Sequence, residues 1–196
     1  MKTIFILAGF DLHETALSTD YAKLREELAG KGYNVVPVDI SWYRKTPSQY
    51  VEEFRHFYAK HKTGENMVIG NSFGAVIAFL AAAELRPDVV CLCSLSPFFK
   101  EDRRKKQDAY GIRYFGKRRM EDLWQYSADE VAKQLNDTKV KTFVLYGEKE
   151  HRTSPDLVAR CKDTASKLRR SKLLEIAGAP HDMADSAYTS AIVDLF

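Results

Sequence analysis

Three cysteines in 196 residues, Cys91, Cys93 and Cys161, give neither the number nor the spacing of a disulfide framework. An odd count of this kind points to free thiols in a reducing compartment, the cytoplasm. Cys91 and Cys93 alternate in a strand-like run and so share a face; a metal there would need two further ligands, and the pair reads as buried core thiols. Long hydrophobic runs are missing. The run Ile4 to Phe10 stops at Asp11 without a small-residue cleavage site, so it reads as a first strand and not a signal peptide. Nothing approaches the roughly 20 apolar residues of a membrane span. An excess of one charge is missing as well: 30 Lys and Arg stand against 27 Asp and Glu, a net charge of +3. That balance argues against nucleic acid or an acidic membrane as partner. No cluster has metal-ligand spacing, and the loop after the first strand lacks a phosphate-cradling glycine pattern, so neither a metal nor a dinucleotide cofactor is expected. Internal repeats and low-complexity tracts are also absent.

What is present suits one well-buried domain over residues 1–196, with 45% hydrophobic and 29% charged residues. Strand-like and helix-like runs alternate. Strands are expected at Ile4 to Ala8, Tyr33 to Ile40, Met67 to Gly70, Val89 to Leu95, Val140 to Tyr146 and Leu173 to Ala177. Between them, Leu17, Tyr21, Leu24 and Leu28 line one helix, which Gly30 and Gly32 stop. Ser48 is the expected cap of the next, which carries Val51, Phe54 and Tyr58 on one side. Ser154 and Pro155 open a later helix with Leu157, Cys161, Ala165 and Leu168 on its apolar side, and a closing helix spans Asp185 to Phe196. Repeated strand–helix units imply an α/β three-layer sandwich around a mainly parallel six-stranded sheet, with chemistry just beyond the carboxyl ends of the strands.

One segment breaks the rhythm. Residues 98–136 hold a nearly all-charged run, Lys100 to Lys106, then Tyr110, Tyr114, Phe115, Trp124 and Tyr126. Ser127 and Glu130 read as a capping box for a short helix ending near Leu135. The segment is either a lid over the strand ends or an elaborated connection with a solvated face.

Gly70-Asn71-Ser72-Phe73-Gly74 stands between the apolar run Met67-Val68-Ile69 and the small-residue helical run Ala75 to Ala83. This is G-x-S-x-G in a strand–turn–helix context. The bland alternative is a Gly-Asn-Ser loop that merely caps a helix. A serine hydroxyl is a weak nucleophile that needs a base, and the base needs an orienting acid. His181 follows the last strand in Gly178-Ala179-Pro180-His181-Asp182 and is the best base. The acid is sought after the fifth strand, in Tyr146-Gly147-Glu148-Lys149-Glu150-His151; Glu150 is the choice and Glu148 the runner-up. His151, His56 and His61 read as surface residues.

The elbow at Ser72, the acid loop after Leu145-Tyr146-Gly147 and the late His181 resemble, in that order, the α/β-hydrolase family in a small, minimal form. The likeness runs over nearly the whole length. It implies Ser72 as nucleophile, Glu150 as acid and His181 as base. It also implies an oxyanion hole from the backbone N–H groups of Phe10, in Leu7-Ala8-Gly9-Phe10-Asp11, and Phe73. The chain departs from the family in two ways: the acid is more often aspartate, and the leading antiparallel strands are missing. Gly9, His13, Phe98 and Phe99 are the candidate substrate contacts; these aromatics and Trp42 read equally as core. The expectation is a cofactor-free serine hydrolase of a small-molecule ester, thioester or related acyl bond. The alternatives are a non-catalytic binding module of the same fold, or a carbon–carbon bond hydrolase with a similar elbow. Arg103, Arg104, Lys105, Lys106, Arg118 and Arg119 would suit an anionic substrate or a solvated face.

Overall fold

The computed structural model describes residues 1–10, 21–39 and 42–196. Its strands are β1 (Lys2–Leu7), β2 (Asn34–Val38), β3 (Glu65–Asn71), β4 (Val89–Cys93), β5 (Lys141–Gly147) and β6 (Ser171–Ile176). They form one sheet in the order β2-β1-β3-β4-β5-β6, and every ladder is parallel. The strands fall within a few residues of the sequence expectation. Leu17, Ile40 and His13 lie outside the described residues.

Continuous apolar runs make strands buried on both faces, and alternate residues divide the core in two. Phe5, Val68, Val90 and Val144 face one layer. Ile4, Met67, Cys91 and Leu145 face the other. The first layer is built by α2 (Pro47–His61), α3 (Phe73–Leu85), α6 (Ala128–Asn136) and, after the single turn α7 (Glu150–Thr153), α8 (Pro155–Lys167). The second is α1 (Ala22–Gly30) packed beside α9 (Ser186–Val193). All three cysteines are free and buried, with Cys91 Sγ and Cys93 Sγ 3.7 Å apart. No helix among the described residues is long and apolar enough to cross a membrane.

Two caps differ from expectation. Helix α2 starts at Pro47, whose missing N–H costs nothing in the first turn, so Thr46 is the N-cap. The Gln49 side chain accepts from the Thr46 N–H. Ser48 lies inside the helix and gives both its N–H and its hydroxyl to Asp122. At α6, Ser127 Oγ accepts from the Glu130 N–H, but Glu101 completes the cap by accepting from Ser127 Oγ and the Ala128 N–H. That partner is remote in sequence, so no local spacing signals it.

Between β4 and β5 the chain makes a 3-10 turn (Lys100–Asp102), then α4 (Lys105–Phe115), α5 (Lys117–Leu123) and α6. Only the earlier part covers the strand ends; α6 packs on α3 and α8 as an ordinary crossover helix. The basic run from Lys100 is solvent-exposed. Arg104 pairs with Asp156. Arg119 is engaged by the backbone oxygens of Phe115 and Trp42, so it ties α5 to the segment before α2.

Candidate active site

The sheet order reverses between β1 and β3, because β2 lies on one side of β1 and β3 on the other. Such a switch point opens a crevice at the carboxyl ends of the strands. Ser72 sits there, at the turn from β3 into α3, with φ 52° and ψ −111°. A non-glycine residue pays strain of about 1–3 kcal/mol in such a conformation, and the surroundings impose it. A Cβ at Gly70 would come within 2.5 Å of the Gly74 oxygen, and one at Gly74 would overlap the carbonyl oxygens of Leu7 and Ala8. Both glycines are thus demanded by close backbone approach, with β1 pressed against the start of α3.

His181 reaches the same point from the loop after β6. Its Nε2 lies 3.1 Å from Ser72 Oγ, and its Nδ1 is hydrogen-bonded to Glu150 Oε1. Gly147 permits this placement: a Cβ there would overlap the Ala179 oxygen and come 2.7 Å from the Pro180 oxygen. The loops after β5 and β6 are laced together by Lys149 N–H to the Ala179 oxygen, 3.0 Å, and Gly178 N–H to Glu148 Oε2, 2.7 Å. Glu148 is therefore occupied away from the imidazole, and Glu150 is the carboxylate beside it. Glu150 has no exposed surface. Its Oε2 accepts from the Gly147 N–H at 2.7 Å and the Ser94 hydroxyl at 3.0 Å, so the buried charge is met by donors on both oxygens.

Other expected residues are placed as follows. Gly9 lies against the elbow, where a Cβ would be 3.5 Å from that of Ser72. The Phe10 ring packs on Phe73, Phe115 and Trp42 with centroids 4.9–5.7 Å apart. Phe73 opens α3, where the first-turn amides have no partner within the helix. Phe98 lines the cleft beside Ser72. Phe99 does not: it is fully buried and packs on Phe79 and under the Arg160 guanidinium. The two neighbours diverge: Phe98 faces the cleft, and Phe99 faces α3 and α8. Trp42 is likewise core, in edge-to-face contact with Tyr50 and Phe73. His56 and His61 bond to carbonyls of their own helix, and His151 to Glu175, all at the surface. No group of three His, Cys, Asp or Glu among the described residues could hold a metal ion.

The cleft has a volume of about 330 Å³. Ser72 and His181 form its floor, Phe98, Tyr110 and Phe115 one wall, and the turn Thr153 to Leu157 the other. Two residues that the sequence did not single out belong here. Ser96 is buried, lines the cleft, and holds its hydroxyl 3.2 Å from Ser72 Oγ. Ser94 lies behind Glu150. Both follow β4, where only topology, not a motif, marks a serine as significant.

Est1E from Butyrivibrio proteoclasticus superimposes with a TM-score of 0.72 over 98% of this chain and 84% of its own, at 14% identity. The chain has the α/β-hydrolase fold. MGS-MChE2, an α/β hydrolase enzyme from the metagenome of sediments of the Mar Chica lagoon, Morocco, matches at TM-score 0.70, 17% identity and coverage of 100% and 90%. A structure reported with the carboxylesterases of Nitrososphaera gargenis matches at TM-score 0.70, 14% identity and coverage of 98% and 88%. No protein-family model and no curated protein matches the chain in sequence. Likeness at this identity carries the fold alone, and function has to be argued from the site.

Proposed function

We propose that the protein is a serine hydrolase of small-molecule esters or thioesters, acting through Ser72, His181 and Glu150. The observation that carries this reading is the hydrogen-bonded series Ser72 Oγ, His181 and Glu150 on the floor of an open cleft. Ser72 Oγ attacks the acyl carbonyl and passes its proton to His181 Nε2. Glu150, fixed by its buried donors, holds the imidazole by Nδ1 and balances the charge that forms on it. The N–H groups of Phe73 and Phe10 receive the developing oxyanion, each typically worth about 3 kcal/mol of barrier. His181 then protonates the leaving group, and a water activated by the same nitrogen releases the acid.

A cleft of about 330 Å³ lies at the small end of ligand pockets, which suits a compact acyl or aryl ester better than a long lipid chain. Est1E has been determined with ferulic acid bound, and the aromatic wall of Phe98, Tyr110 and Phe115 would suit a ligand of that size. A series of p-nitrophenyl esters of graded chain length tests the proposal. Turnover is expected to be highest for short acyl groups and abolished in Ser72→Ala and His181→Ala. Glu150→Gln is expected to lose several orders of magnitude in kcat, about 10⁴-fold by analogy with other triads, and Glu148→Gln little. A folded protein that turns over none of these esters would count against the reading, and the reverse order of the two glutamates would move the acid to Glu148.

A further inference from the structure

Behind Glu150 lies a second, fully buried polar group that the triad reading does not use. Ser94 Oγ is 3.0 Å from Glu150 Oε2 on one side and 2.7 Å from the Tyr188 hydroxyl on the other. An ionised carboxylate only accepts, so the single Ser94 proton goes to Glu150, and Tyr188 must donate to Ser94. The direction of both bonds follows from this count. The resulting chain runs Tyr188 to Ser94 to Glu150 to His181 to Ser72, from α9 to the cleft. Ser94 holds its place at φ 53°, in the left-handed region that non-glycine side chains rarely adopt, with its N–H on the Leu145 oxygen at 2.7 Å.

We propose that Ser94 and Tyr188 are positioning residues for catalysis: they fix the Glu150 carboxylate from behind and set how strongly it holds the proton on His181. The inference rests on the triad reading above. It also accounts for the glutamate. A carboxylate on a longer stem has one more rotatable bond than aspartate, and the Ser94 hydroxyl with the Gly147 N–H pins its inner oxygen while the outer one serves the imidazole.

The titratable groups seen to bear on this carboxylate include His181, Tyr188 on α9, Cys93 on β4 and Cys161 on α8. Burial raises the phenol and both thiols above their ordinary values, and the Glu150 charge pushes the same way. They stay uncharged over the working range and add no charge beside the carboxylate.

Removing a donor from Oε2 leaves more negative charge on the carboxylate. His181 then keeps its proton to higher pH, and the acidic limb of the kcat/KM–pH profile moves upward. For Ser94→Ala we expect a shift of about half to one pH unit, a fraction of the roughly one to two units that one lost hydrogen bond to a charged group is worth at the carboxylate itself. We expect kcat about tenfold lower and KM within about twofold. Tyr188→Phe, which acts only through Ser94, is expected to shift the limb less. The double variant is expected to match Ser94→Ala, because the Tyr188 effect has no other route. The experiment measures these profiles with a p-nitrophenyl ester for wild type and the three variants, alongside Tm. Limbs that stay in place while Tm falls would make the two residues merely structural and overturn the inference, as would additive shifts in the double variant. Should Ser94→Ala not fold, an unmoved limb in Tyr188→Phe alone overturns it. A folded wild type without turnover fails both this inference and the triad reading, whereas an active wild type with unmoved limbs fails this inference alone.

Discussion

Ser72 occupies a backbone conformation that few side chains tolerate, and the reason is the close packing of Gly70 and Gly74 on their neighbours. Strain at the residue proposed as nucleophile has a measurable consequence. Relief of the strain is worth about 1–3 kcal/mol, and the extra chain entropy of glycine costs about 0.5–1 kcal/mol. Relief wins. Ser72→Gly is therefore expected to melt higher than Ser72→Ala in thermal unfolding, although both lack the proposed nucleophile; equal or reversed Tm values would show that the turn is not strained. The sequence made the elbow legible because its glycines fall at fixed offsets from Ser72. It did not make Ser94, Ser96 or Tyr188 legible. These residues are 22 or more positions from Ser72; Ser94 and Ser96 come near it because β4 lies beside β3, and Tyr188 because α9 packs behind that sheet edge, which no local pattern records.

At the scale of elements, the connection between β4 and β5 adds polar anchors to the buried apolar residues it gives the core, among them Phe115, Met120, Leu123 and Leu135. Asp102 accepts from Arg160 and from the Phe99 N–H. Glu101 caps α6 by receiving the Ser127 hydroxyl and the Ala128 N–H. Partial burial pushes the Glu101 carboxyl up, but these donors outweigh it and hold the carboxyl below the usual range. A depressed carboxyl contributes stability in full above its unfolded value, about 4.3 for glutamate, and loses it as pH falls through the folded value. The Tm difference between wild type and Glu101→Gln is thus expected to be largest near neutrality and to shrink steadily below about pH 4. A difference independent of pH would remove the charge from the account. Ser127 marks the start of this helix in the sequence, and the local pattern points to Glu130 as the second capping partner because Glu101 is too distant for a motif to include. The local pattern likewise points to Ser48 as the cap of α2, two residues inside the helix, where proline at the first turn and Thr46 before it are the better signal.

For the molecule as a whole, six parallel strands bring all their carboxyl ends to one edge. Residues 72, 150 and 181 can meet there although they are far apart in sequence. The alternation of buried strands and amphipathic helices was enough to read this architecture. The division of roles among aromatics was not: Phe98 and Phe99 are the same residue type side by side, yet only Phe98 has an edge on the cleft while Phe99 is wholly inside the core. The fold is shared with proteins at 14–17% identity, so the chemistry rests on whether residue 72 is an activated nucleophile. Reaction of the folded protein with a fluorophosphonate, read by intact mass, tests that most directly. The account predicts one covalent adduct on the wild type and none on Ser72→Ala. A folded wild type that stays unmodified, or an adduct that persists in Ser72→Ala, would contradict it.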